Sequence, residues 1–230
     1  MGSRAPRDSA AFEVREALVQ PGCPVCHLAA RSVKRQIRSI AYEQVNDIDL
    51  RARLRRARGF CNAHAYQWLH EARNVLGTAL IYRDVLRAAI DDLESGRRGG
   101  LLQGLFNSER APLCPICEAQ AEAEGRFIEA LTILVAADET ARRAFEASDA
   151  ALCRVHVEAA LRAGGPGAAA IAAHTRVKVE ALLAELDEVI RKEDYRFRDE
   201  ERTVNQRSAP QRAVAWAAGA EGLVNSKINP

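Results

Sequence analysis

The chain has 230 residues, of which 48% are hydrophobic, 28% charged and only 5% aromatic, with 33 basic against 31 acidic side chains. That is ordinary globular composition with an aliphatic, Ala-rich core, which excludes a disordered polar chain. No apolar run approaches the ~18–20 residues of a membrane span, and the first twenty residues lack the continuous apolar stretch of a secretory signal, so a cytoplasmic protein without a membrane partner is expected.

Residues 1–20 read as an N-terminal helix or arm. At Cys23-Pro-Val-Cys26 two thiols are set one helical turn apart, and Leu28, Ala29, Val33, Ile37, Ile40, Ala41 and Val45 then follow helical spacing. A shorter returning helix is expected over "DIDLRARLRRARGF", capped by Asp47 or Asp49. It leads to Cys61-Asn-Ala-His64, after which a helix, a glycine break at Gly77 and a long helix over 78–94 are predicted.

The pattern then repeats. Residues 97–112 are rich in Gly and turn formers and read as a linker with an apolar anchor at Leu101–Phe106. Cys114-Pro-Ile-Cys117 opens a second helical run, Asp138 caps a second returning helix, and Cys153-Arg-Val-His156 follows. A break at Gly164, Gly165 and Gly167 precedes a last helix over 168–193. Between the inner cysteines of each half lie 34 residues (Cys26 to Cys61) and 35 residues (Cys117 to Cys153). All six cysteines of the chain fall in this pattern, so the chain is read as a duplication. Strict alternation is absent. The expected fold is all-α, with two tandem helical repeats over 21–96 and 113–194 and a surface tail over 195–230, pinned by Tyr195 and Phe197 and docked by Trp216.

Three cysteines per half leave one unpaired in any disulfide scheme, and a cytoplasmic setting is reducing. A redox dithiol leaves the Cys-x-x-His motifs unexplained. Metal ligation uses every residue: Cys23, Cys26, Cys61 and His64 form one Cys₃His set, and Cys114, Cys117, Cys153 and His156 the other. Such sets close a tetrahedron around zinc, two ions per chain, with iron–sulfur the lesser alternative because the spacings differ from the common cluster motifs. A helix over 26–43 extends about 27 Å and a return of ~12 residues covers about 18 Å. Extended residues near Gly59 and Phe60 are expected to close that gap and seat each ion within its own repeat.

Four protein ligands leave no open position for substrate, and no nucleotide, protease, hydrolase or Glu-x-x-His signature occurs, so the reading is of a non-enzyme. His27, His70 and His174 lie outside the repeat and read as structural or surface residues. The run Arg51, Arg53, Arg55, Arg56 and Arg58 could track phosphates, although 29 of the 33 basic residues are Arg and a solvated helix face is the simpler reading. Residues 21–100 hold 14 basic and 8 acidic side chains, and residues 101–198 hold 12 and 16. That asymmetry fits self-association or docking of one half on the other, and a protein partner or homo-oligomer is expected.

The stretches "GCPVCHLAARS", "GFCNAHAYQWL", "LGTALIYRDVLRA", "LCPICEAQ", "LCRVHVEAAL" and "EDYRFRDEE" resemble an uncharacterised bacterial family of tandem Cys-Pro-x-Cys/Cys-x-x-His proteins. The likeness spans most of residues 20–200 and thins past about 203. It implies bacterial origin and the eight ligands, and no activity. The expectation is a zinc-binding helical scaffold or interaction protein. A nucleic-acid-binding regulator using Arg51–Arg58 and a zinc-gated thiol sensor are the alternatives.

Overall fold

In the computed structural model, residues 8–94, 114–197 and 199–224 are described, and among them are ten α-helices and no strand. The expected linker at 97–112, with its anchor, lies outside the described residues. In chain order the helices are α1 (Asp8–Ala17), α2 (Pro24–Ser39), α3 (Ile48–Arg56), α4 (Asn62–Ala72), α5 (Val75–Glu94), α6 (Pro115–Ala137), α7 (Glu139–Ala147), α8 (Arg154–Ala163), α9 (Ala168–Arg191) and α10 (Val204–Ala218). A π-helical turn, Ile40–Gln44, prolongs α2. None of these helices is long and apolar enough to cross a membrane.

Local chemistry explains the boundaries. Pro24 and Pro115 occupy the first helical position, where a missing N–H costs nothing. Asp47 accepts the Leu50 N–H at 2.7 Å and Asp138 the Ala141 N–H at 3.0 Å, so both expected caps are present. Gly164 ends α8 in the left-handed conformation (φ +66°), as the sequence suggested.

Gly77 does not break the first half. The chain turns instead at Arg73 (φ +45°), and the Asn74 side chain accepts the Gly77 N–H at 2.8 Å inside the new helix. A Cβ on Gly77 would lie 2.8 Å from Asn74 Nδ2, so glycine is there to let the cap approach.

The tail departs further from expectation. Residues 204–218 are helical, started by a capping box in which Thr203 Oγ1 accepts the Gln206 N–H and Gln206 Oε1 accepts the Thr203 N–H. The helix escapes pattern reading because Ala209 is its one buried residue and Pro210, a helix breaker, lies inside it. Tyr195 is exposed and pins nothing, whereas the Phe197 ring lies under the Arg191 guanidinium at 4.7 Å.

Two compact units divide the described residues, and they differ from the expected repeats. One holds the residues up to Ala30 and from Ala123 onward; the other holds Arg31–Glu122. The first unit thus owns the start of α2 and most of α6. Its core gathers Val14, Leu18, Leu28, Phe127, Leu131, Phe145, Leu152 and Ile171. The second owns the rest of α2 and the start of α6, and buries Ile37, Leu54, Trp68 and Ile81. Trp68 stacks on Phe60 and donates Nε1–H to Thr78 Oγ1 at 2.8 Å, which satisfies its buried polar edge.

Candidate metal centres

Each of the four motifs is built the same way. Cys61 and Cys153 are the N-cap residues of α4 and α8, with extended backbone (ψ 166° and 163°). Cys23 and Cys114 stand immediately before α2 and α6, and their carbonyls accept the first helical N–H groups, from His27 and Glu118. The second residue of each motif lies three positions on, in the first turn, so both side chains face one way. Four helix N-termini therefore carry the eight groups, and the positive end of each helix dipole favours thiolate there.

These motifs come together crosswise. Cys23 and Cys26 meet Cys153 and His156, and Cys61 and His64 meet Cys114 and Cys117; in each group the ligand atoms all lie within 4.8 Å of one another. The eight residues are those singled out in the sequence, but the expected seating of one ion per repeat is corrected. The physical reason is length. The 16 residues of α2 and five of its π-turn extend about 31 Å, and the nine residues of α3 return only about 14 Å. Beyond α3 the chain turns, with Arg58 and Gly59 both at positive φ, rather than running extended. Cys61 therefore belongs with Cys114 and Cys117 and not with Cys26. The 23 residues of α6 against nine in α7 give the second half the same shortfall.

In the first centre the three sulfurs lie 3.2–3.4 Å from His156 Nδ1, and Cys26 Sγ lies 3.6 Å from Cys153 Sγ. In the second, the sulfurs lie 3.3–3.7 Å from His64 Nδ1, and Cys117 Sγ lies 3.6 Å from Cys61 Sγ. A tetrahedral zinc with bonds of about 2.3 Å to sulfur and 2.0 Å to nitrogen requires S···S edges of about 3.8 Å and S···N edges of about 3.5 Å. Both groups fit. A disulfide would need sulfurs about 2.0 Å apart, and all six cysteines are free.

The protons are unevenly held. Hydrogen bonds from Cys114 and Cys117 bring the Cys61 thiol down to about 3, and those from Cys23 and Cys26 lower Cys153 strongly. Burial pushes Cys23 up, and neighbouring sulfurs with burial push Cys117 up. Burial works against a charged His156 ring, yet bonds to Cys153, Cys26 and Glu124 raise it to about 12. Each cluster thus favours thiolate at one cysteine, and a bound cation would displace protons from its other ligands.

The two centres differ in their surroundings. A parallel bridge ties the loops of the first: Ala151 N–H donates to the Gly22 carbonyl at 3.0 Å, and Gly22 holds φ +91° to allow it. Helix α10 closes over that centre, so that a Cβ on Gly219 would lie 3.8 Å from Cys26 Sγ. Glu124 Oε1 lies 3.6 Å from His156 Nε2, a carboxylate placed to steady the ring. Sequence reading missed Glu124, since it sits on α6 seven residues past Cys117 and serves the other cluster. In the second centre Cys61 is half-buried, and no carboxylate is found beside His64 Nε2 among the described residues; His64 Nε2, like His156 Nε2, is buried without a hydrogen bond.

Residues outside the clusters behave as supports. His174 Nε2 pairs with the Ala150 carbonyl at 2.9 Å and its ring leans on Phe145, while His70 is exposed and His27 half-buried. Four of the five arginines of the stripe are engaged in ion pairs. Arg51 and Arg55 hold Asp84, Arg58 holds Asp92 at 2.5 Å, and Arg53 holds Glu118.

Comparison with known proteins adds kinship without an activity. The model of a family of unknown function (DUF6062) matches residues 10–222. A relative described as "Uncharacterized 23.9 kDa protein in xynA 3'region", from Caldicellulosiruptor sp. (strain Rt8B.4), is 27% identical over 201 residues, covering 86% of this chain and 96% of its own. No solved structure matches the chain.

Proposed function

We propose that this chain, which belongs to the family of unknown function DUF6062, is a bacterial zinc-binding helical interaction protein whose two zinc ions are structural cross-links. The observation that carries this reading is the geometry of the two Cys₃His groups, with S···S and S···N separations of 3.2–3.7 Å. Three thiolates and an imidazole form a closed tetrahedral set for zinc and leave no coordination position for a substrate. Structural rather than catalytic zinc, and a non-enzymatic role, follow from that closure. Binding of about 10–16 kcal/mol, as in small zinc domains, would rival the folding stability of an ordinary domain. The ion pairs made by Arg51, Arg53, Arg55 and Arg58 weigh against the nucleic-acid reading, because those guanidinium groups already have carboxylate partners.

Elemental mass spectrometry of the freshly purified chain, with circular dichroism before and after chelation, tests the reading. Two zinc per chain and loss of helix on chelation are expected. Iron with a visible absorption band, or a metal-free chain with intact helices, would overturn it. Chelation should proceed in two steps, the centre with half-buried Cys61 emptying before the one covered by α10.

A further inference from the structure

Among the described residues, one face of helix α5 is left exposed. Its inner side buries Ile81 and Val85 and turns Asp84 to Arg51. Its outer side carries Leu76 (70% exposed), Ala79, Arg83, Leu86 (60%), Ile90 (51%) and Leu93 (81%). Those positions alternate in steps of three and four, which is the seam of a coiled coil rather than the scattered apolar residues of an ordinary surface.

The chain supplies its own control. Gly77, Ile81 and Val85 of α5 recur in burial as Gly167, Ile171 and Thr175 at and in α9. In that register Leu86 and Ile90 correspond to Arg176 and Glu180, which form a solvated i,i+4 ion pair at 3.1 Å. At those two positions α9 carries an ion pair, while Leu183, the counterpart of Leu93, is exposed like it. Helix α5 carries leucine and isoleucine, a burial cost left unmet unless something covers them.

We propose that a second copy of this chain covers this face, α5 packing antiparallel on its counterpart across a two-fold axis. A two-fold contact must be self-complementary: if one residue meets another, the reverse holds too. The antiparallel register satisfies that. It sets Leu76 against Leu93 of the second copy, Ala79 against Ile90, and the apolar stem of Arg83 against Leu86, small residue against large. Charge agrees. The last turn of α5 carries exposed Asp91, where the helix dipole disfavours an anion, while Asp92 is already paired with Arg58, and exposed Arg73 precedes its start. Antiparallel packing brings the basic end of each helix beside the acidic end of the other, twice per dimer. The exposed apolar residues fall short of the about 800 Å² per partner of a standard interface, and the flanking polar residues supply the remainder. The assignment names the partner within the interaction reading above and rests on that reading, not on which metal the clusters hold.

Sedimentation equilibrium of the full chain tests it, with metal content measured on the same samples so that failure of the zinc reading is seen separately. The expected species is two chains of 25.2 kDa. Ile90→Glu should raise the dissociation constant at least about 30-fold with helix content unchanged. Adding Ala79→Lys to Ile90→Glu should restore the dimer, because the introduced charges face one another only in the antiparallel register. Leu183→Glu, at an exposed position of α9, should leave it intact. A folded wild-type chain that stays monomeric, a dimer that survives Ile90→Glu, a double variant that is not rescued, or a monomer holding a foreign chain on α5 would each overturn the assignment.

Discussion

Cys26 Sγ lies 3.6 Å from Cys153 Sγ although the two residues are 127 positions apart, while Cys61, from the nearer motif, belongs to the other cluster. This crossing converts two local motifs into long-range ties. One centre closes a loop of more than a hundred residues, and the other a loop of about fifty. By loop-closure entropy the longer tie constrains the unfolded chain more, though only by a few tenths to about one kcal/mol.

The crossed pairing is directly testable by metal counting. Cys23→Ser with Cys153→Ser strikes one centre and should leave one zinc per chain. Cys23→Ser with Cys61→Ser strikes both and should leave none tightly bound. Pairing within each repeat predicts the reverse, so elemental analysis of these two double variants decides between the topologies.

Glu124 serves one centre only. Glu124→Gln removes the carboxylate beside His156 Nε2 while keeping the side-chain shape. Zinc affinity at the Cys23/Cys26/Cys153/His156 centre should fall about 10–100-fold, with the other centre unchanged. Competition with a graded chelator would read the two steps separately, and an equal weakening of both would refute the role.

Gly167 has no room for a side chain. A Cβ there would sit 2.4 Å from the Thr132 carbonyl oxygen, a backbone atom that cannot rotate away. Gly167→Ala should destabilise the chain by about 1–3 kcal/mol. Gly125→Ala, where a Cβ meets nothing, serves as the control and should be neutral or slightly stabilising. Urea midpoints of the two variants make the comparison.

The pair between Asp84 and Arg51 should show a defined pH dependence. Partial burial pushes Asp84 upward, but bonds and charges from Arg51 and Arg55 outweigh it and hold the carboxyl below its ordinary range. A carboxyl lowered in the folded state contributes stability that is complete above the unfolded value of about 3.9 and is lost as pH falls through the folded one. Asp84→Asn should therefore cost about 1–3 kcal/mol at neutral pH, by stranding a half-buried guanidinium. The difference from wild type should begin to shrink below about 4 and vanish as pH falls through the lowered folded value. A difference that persists unchanged in acid would show that charge is not the cause.

The ligands and most helices are legible in the amino-acid sequence because they depend on neighbours within one turn. A proline after a cysteine starts a helix, a second cysteine or histidine three positions on shares its face, and Asp47 and Asp138 cap where hydrogen bonding to the next turn allows. Helix α10 is less legible, since it holds its place through a capping box and polar ties such as Lys192 Nζ to Gln206 Oε1, not through an apolar stripe. The break at Arg73 was hidden for a similar reason: a non-glycine residue adopts the left-handed turn, and Asn74 restarts the helix. Which motif meets which could not be read at all. Ligand identity is a property of side-chain chemistry and spacing, whereas ligand pairing depends on where long helices carry their ends. Helix α3 is too short to bring Cys61 back along α2, and only the packed tertiary structure delivers it to Cys114 and Cys117 instead.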